Sequence, residues 1–236
     1  MPVPSLITPT HTDVRSLYDL IFDVYGPQHW WPGDGPFDVI VGAILTQNTN
    51  WKNAEKALCA LKTANVRSFD AIGDTNREVL ADLIRPSGYF NQKARKLHEF
   101  SALLKTDFHD CLDRLLELPT YRLRSTLLGI WGVGEETADD IILYAAGKPS
   151  FVFDTYTRRV VDRLGWQVEG NRYGDYQSLF MDRLPADAAL FNEYHALLDE
   201  HASSVCKPTP MCGSCCLNDI CLTGKSHQDP SHTERG

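Results

Sequence analysis

The chain reads as an all-α protein, and three observations predict it. Apolar residues recur at helical spacing along nearly all of its 236 residues. No stretch alternates apolar and polar residues as a half-buried strand does. The clusters "WPGDGP", "RPSGY", "ELP", "WGVG" and "GKPS" punctuate the helical segments as turns. The first segment, residues 12–26, puts Val14, Leu17, Leu20, Ile21 and Val24 on one stripe, with Thr12 as its N-cap. Residues 37–50 form an apolar helix that ends in polar amides, and 50–64 an amphipathic one. Further helices are expected at 77–84, 91–105, 109–116, 121–129, 135–146, 154–164, 173–183 and 187–203. The polar stretch after Cys221 is expected to be disordered, and no internal repeat is visible.

Composition narrows the class. A hydrophobic content of 43% supports a packed core, and no apolar run is long enough to span a bilayer. The N-terminus lacks the basic-then-apolar pattern of a secretory signal, so a cytoplasmic location is expected, nucleoid-associated if bacterial; a monomer is expected as well. A formal charge of −8 argues against indiscriminate nucleic-acid binding. A local basic face remains compatible with it, because surface charges act within about one Debye length, roughly 8–10 Å. Of the seven cysteines, Cys59 and Cys111 stand alone and five crowd into residues 206–221. In a reducing compartment that crowding indicates a metal centre rather than disulfides.

Three constellations carry chemistry. Cys206, Cys212, Cys215 and Cys221 are spaced C-x5-C-x2-C-x5-C. Zinc modules usually separate two short pairs by a longer stretch. One continuous loop of four thiolates suits a cubane [4Fe–4S] cluster better, with Lys207 and Lys225 offsetting its charge. Replacing Cys215 by Cys216 gives the less favourable x3 and x4 spacings. The second constellation is "IWGVG" between two helices. Gly132 and Gly134 let the backbone approach a phosphate, the following helix offers its positive end, and Ile130 and Val133 anchor the turn. A plain helical hairpin needs similar glycines for packing. The third is Asp154, delivered by an apolar approach to a helix start, where it serves at least as an N-cap.

Together, the G-V-G hairpin, the Asp-Thr that follows and the four-cysteine loop resemble the helix-hairpin-helix DNA glycosylases of the endonuclease III superfamily. The resemblance covers about residue 28 to Cys221. It implies a helical domain over residues 36–146 carrying the hairpin, and a cluster domain from 1–35 plus 147–236 carrying the catalytic carboxylate, Asp154. It also implies that Gln47 of "LTQNT" fills the gap left by an extruded base. Members that cut the backbone carry a lysine two residues after the second glycine, where its amine forms a Schiff base with the sugar. Glu136 holds that position here and cannot form an imine. The resemblance therefore implies a monofunctional glycosylase using water. Acids at a helix N-terminus are also favourable by about 0.3–1 kcal/mol, which accounts for Glu135 and Glu136 without function.

"WWP" (30–32), "LTQNTNW" (45–51) and "RPSGYFNQKARKL" (85–97) resemble the 3-methyladenine DNA glycosylase III branch. That likeness implies that Trp30 and Trp51 sandwich the flipped base, with Asn50 in support and Trp31 in the core. An aromatic sandwich suits a cationic alkylated purine through a cation–π term of roughly 0.5–2 kcal/mol. The branch's best-known form carries a pocket lysine near the segment matching 200–206, where this chain has none, and lacks the four-cysteine loop. Lys93, Arg95, Lys96, Arg158 and Arg159 are expected phosphate contacts on duplex DNA bearing a damaged base. Two rival readings stand beside this one: a glycosylase for oxidised pyrimidines or mismatches with weak lyase activity, and a non-catalytic DNA-binding iron–sulfur protein.

Overall fold

The computed structural model describes residues 8–30 and 33–228. The described residues are helical, with no extended strand. The chain divides into two compact units, one of residues 31–148, the other joining 1–30 to 149–236. Trp31 and Pro32 of the "WWP" segment lie outside the described residues.

In the 31–148 unit, α2 (Pro36–Leu45) starts on a proline and buries every residue from Asp38 onward, so it is the central helix. Around it come α3 (Trp51–Thr63), α4 (Phe69–Asp74), α5 (Arg77–Leu83), α6 (Phe90–Phe108), α7 (Leu112–Leu116), α8 (Thr120–Leu128) and α9 (Glu135–Asp140). Asn50, Ser68 and Asn76 cap α3, α4 and α5 with side-chain oxygens. Ile40, Ile44, Leu61, Leu97, Phe100, Leu127 and Ile141 meet in one core. Past Asp140 the same helix widens into a π-helical turn, Ile141–Ala145, closed by Ala146 N–H donating to Ile141 O at 3.0 Å.

The discontinuous unit contains α1 (His11–Tyr25), α10 (Thr155–Leu164), α11 (Tyr173–Met181), α12 (Ala188–Ser204) and α13 (Leu222–Gln228). Here α12 packs along both α1 and α10. Phe151 stacks on Phe180 at 4.1 Å, and the buried Tyr194 donates its hydroxyl to Val14 O at 2.7 Å.

Three local expectations need correction. Thr10, not Thr12, caps α1, in a capping box with Asp13. Leu20 and Val24 turn to solvent, because the buried stripe of α1 is only as wide as the face α12 covers. Residues 222–228 are helical, not disordered: Leu222 packs on Gly165, where a Cβ would come within 2.8 Å of its Cδ2. The rest of that tail lies outside the described residues.

Candidate nucleic-acid interface and catalytic carboxylate

The hairpin joins α8 to α9. Ile130 and Val133 are buried, while Gly132 and Gly134 are exposed. Gly132 has φ +82°, and a Cβ there would run into the Lys96 side chain. Gly134 has ordinary extended backbone, and a Cβ on it would meet no protein atom within 4 Å. No contact within the described residues explains that second glycine. The acids that follow do not poison the turn. Arg124 donates to the fully buried Asp139 at 3.0 Å and reaches Glu135 at 3.3 Å. These carboxylates hold the guanidinium firmly charged. Arg124 thus pins α8 to α9, a role the sequence did not reveal. Glu136 lies exposed in the first turn of α9.

Gln47, just past α2, is seated on this hairpin. Its Nε2 donates to Thr137 Oγ1 at 2.8 Å and to Gly132 O at 3.4 Å, and its Oε1 accepts from Lys96. Arg95 stacks on the exposed Trp131 of the turn at 3.8 Å and pairs with Glu99. Lys93 corrects an expectation. It is 1% exposed, and its ammonium donates to Leu45 O at 2.8 Å and Ser87 O at 2.6 Å. It therefore caps the C-terminal end of α2 from inside and cannot reach a phosphate. Lys93→Met should cost about 2–3 kcal/mol by stranding two buried carbonyls. Chemical denaturation would show this as a lowered midpoint, with duplex affinity of the folded protein unchanged.

Asp154 is the N-cap of α10, its Oδ1 accepting from Thr157 N–H at 2.7 Å. Arg158 is spent locally, donating to Asn171 Oδ1 at 2.8 Å and stacking on Tyr176 at 4.1 Å. Arg159 likewise donates to Cys206 O at 2.7 Å and Ala202 O at 2.9 Å, so it ties α10 to α12. Both expected phosphate ligands are thus committed to holding their own unit. Asn50 caps α3 through Asn53 N–H at 3.1 Å, which gives it a structural task at the expected pocket. Trp51 packs against the core of the 31–148 unit, and Trp30 is half-buried in the other unit.

Cys206, Cys212, Cys215 and Cys221 line one cavity, with Arg163, Met211 and Asn218; Cys216 does not line it. Among the described residues, no three His, Cys, Asp or Glu side chains converge closely enough to hold a single ion. Four thiols lining one cavity are a donor set that a thiolate-ligated metal centre requires. Burial pushes the Cys215 thiol up to about 11 and raises Cys221, so these sulfurs ionise when a cation takes the proton's place. Arg163 donates to Cys206 Sγ at 3.2 Å. The buried His201, its imidazole pushed down to about 4 by desolvation, sits between Tyr25 OH (3.0 Å) and Cys215 Sγ (3.7 Å).

Residues 41–186 match the family model of the HhH-GPD superfamily base excision DNA repair proteins. A Methanocaldococcus jannaschii protein named as a DNA repair glycosylase is 38% identical over 89% of this chain and 96% of its own length. The endonuclease III of Sulfolobus acidocaldarius is 32% identical over 78% of this chain and 81% of its own. Among solved structures, the H. pylori 3-methyladenine DNA glycosylase bound to 1,N6-ethenoadenine superposes with a TM-score of 0.68 and 29% identity. It covers 82% of this chain and 95% of that one. A trapped endonuclease III–DNA covalent intermediate shares the fold, with a TM-score of 0.81 and 23% identity over 94% of this chain and 100% of that one. With its hairpin, its carboxylate-capped helix and a family match over 41–186, the chain belongs to the HhH-GPD superfamily of base excision DNA repair glycosylases.

Proposed function

We propose that this glycosylase is monofunctional and releases an alkylated purine from duplex DNA, with water as the nucleophile. The observation that carries the reading is Glu136: the first turn of α9 presents a carboxylate where an imine-forming amine is required. The likeness to the 3-methyladenine glycosylase, at 29% identity over 82% of the chain, supports the purine substrate. In this reading the amides around Gly134 grip a phosphate and Gln47 leaves its seat on Thr137 to fill the gap in the duplex. Trp30 and Trp51 flank the extruded base. Asp154 stabilises positive charge developing on the sugar and takes a proton from the attacking water. The leaving base is itself cationic, so no strong general acid is needed.

Cys206, Cys212, Cys215 and Cys221 would hold a [4Fe–4S] cluster, which would supply a cross-link for a segment with little core of its own. The endonuclease III relative at 32% identity favours one other reading, excision of an oxidised pyrimidine.

The deciding experiment incubates the protein with methylated duplex DNA and with duplexes bearing oxidised pyrimidines, then identifies the free bases. Release of methylated purine without strand cleavage is expected; pyrimidine release alone would overturn the substrate. A borohydride trap on abasic DNA should give no adduct with wild type. Glu136→Lys should gain a trappable adduct and bind DNA more tightly at low salt, as the local charge changes from −1 to +1. Efficient trapping by wild type would end the monofunctional reading.

A further inference from the structure

Lys96 has no task in that mechanism, yet it holds the side chain that enters the duplex. Helix α6 turns two lysines, one helical turn apart, toward the end of α2. Lys93 donates to Leu45 O at 2.8 Å and fixes the backbone there. Lys96 donates to Gln47 Oε1 and fixes the side chain two residues further on. Gln47 Nε2 in turn donates to Oγ1 of the buried Thr137 at 2.8 Å. A flipped amide would set its NH₂ against the ammonium, so Gln47 is held one way round. The stem of Lys96 crosses Gly132, where any Cβ would collide with its Cγ, Cδ and Cε. Ammonium and Gln47 amide therefore sit together on the G-V-G hairpin.

We infer that Lys96 is a positioning residue that latches Gln47: it holds the amide on the hairpin away from a lesion, and releases it by exchanging the amide oxygen for a DNA phosphate oxygen. The inference rests on the proposed role of Gln47. The bond it starts from is lopsided, because a half-buried ammonium is met by a neutral oxygen. Arg95 takes Glu99, and Arg124 takes Glu135 and Asp139, which leaves Lys96 with no ion pair among the described residues. Burial pushes its ammonium below the usual lysine value, as expected of a charge short of compensation. Gln47 cannot leave for the duplex without stranding that charge. A phosphate oxygen repays it, because a bond between two ionised groups replaces one to a neutral amide. Insertion of Gln47 and engagement of the backbone are thereby coupled at one atom, Lys96 Nζ.

The test is the salt dependence of duplex affinity, on undamaged duplex and on duplex carrying a stable abasic analogue, with melting temperature recorded for each variant. Wild type should lose affinity with salt more steeply on the abasic duplex, by about 0.9 in the log–log slope, the mark of one extra phosphate contact. Lys96→Met keeps a stem over Gly132 but no charge, so its two slopes should coincide. Lys96→Arg, which keeps the charge, should retain the difference. Gln47→Ala frees the ammonium in advance, so at low salt it should bind undamaged duplex at least about threefold more tightly than wild type. Adding Lys96→Met to Gln47→Ala should abolish that gain. A slope difference that survives in Lys96→Met, or a Gln47→Ala variant that binds undamaged duplex as wild type does, overturns the latch. Single-turnover base release by Gln47→Ala separates the two ideas. A wild-type rate sinks the proposed role of Gln47, whereas slow release beside wild-type binding of undamaged duplex sinks only the latch.

Discussion

Asp154→Asn should fold, bind duplex DNA and release base at least about 10²-fold more slowly than wild type, a loss of at least about 2.7 kcal/mol in transition-state stabilisation. The substitution separates the two tasks of this side chain. Asn and Asp are equally good N-caps, so the bond to Thr157 N–H and the start of α10 survive. Asn has no negative charge to set against the cationic sugar and no basic oxygen to take a proton from water. Single-turnover release measures the chemical step, and the melting temperature reports the fold. An unchanged rate with an unchanged melting temperature would leave Asp154 as a cap and nothing more.

Cys212→Ala should give the largest structural effect. Residues 206–221 contain only the short 3-10 turn Cys212–Ser214, and their buried apolar side chains are Cys206, Leu217 and Cys221. So small a core does little to offset the backbone entropy of ordering the loop, and in the proposed reading a bound cluster supplies the difference. The wild-type protein, purified anaerobically, should be brown with about four irons per chain. Cys212→Ala should lose the colour and become insoluble or protease-sensitive in this segment. Cys216→Ala should stay brown, because Cys216 does not line the cavity that the other four share. Stoichiometric zinc without visible absorbance would overturn the cluster.

Much of this molecule is decided by short-range pattern. Helical periodicity, the cap at Asp154, the tight turn at Gly132 and the cysteine spacing all act within a few residues, so the sequence alone reveals them. The all-α class, the buried Ile130 and Val133 and the superfamily were legible for that reason. Two short helices were not. α4 has six residues, too few to show a period, and α13 is polar and helical because it packs on α10.

What long side chains do is decided elsewhere. Lys93 looked like a phosphate ligand because lysines usually face water, yet Leu45 O, 48 residues away in the chain, claims its ammonium. Arg159 looked the same and instead ties α10 to α12. Arg124 gave no signal until packing set it beside Asp139. The sequence by itself determined the elements and the candidate chemistry, since both depend on neighbours along the chain. Only the tertiary structure decided which charges are buried, paired or left to act, because desolvation and Coulomb energy depend on neighbours in space.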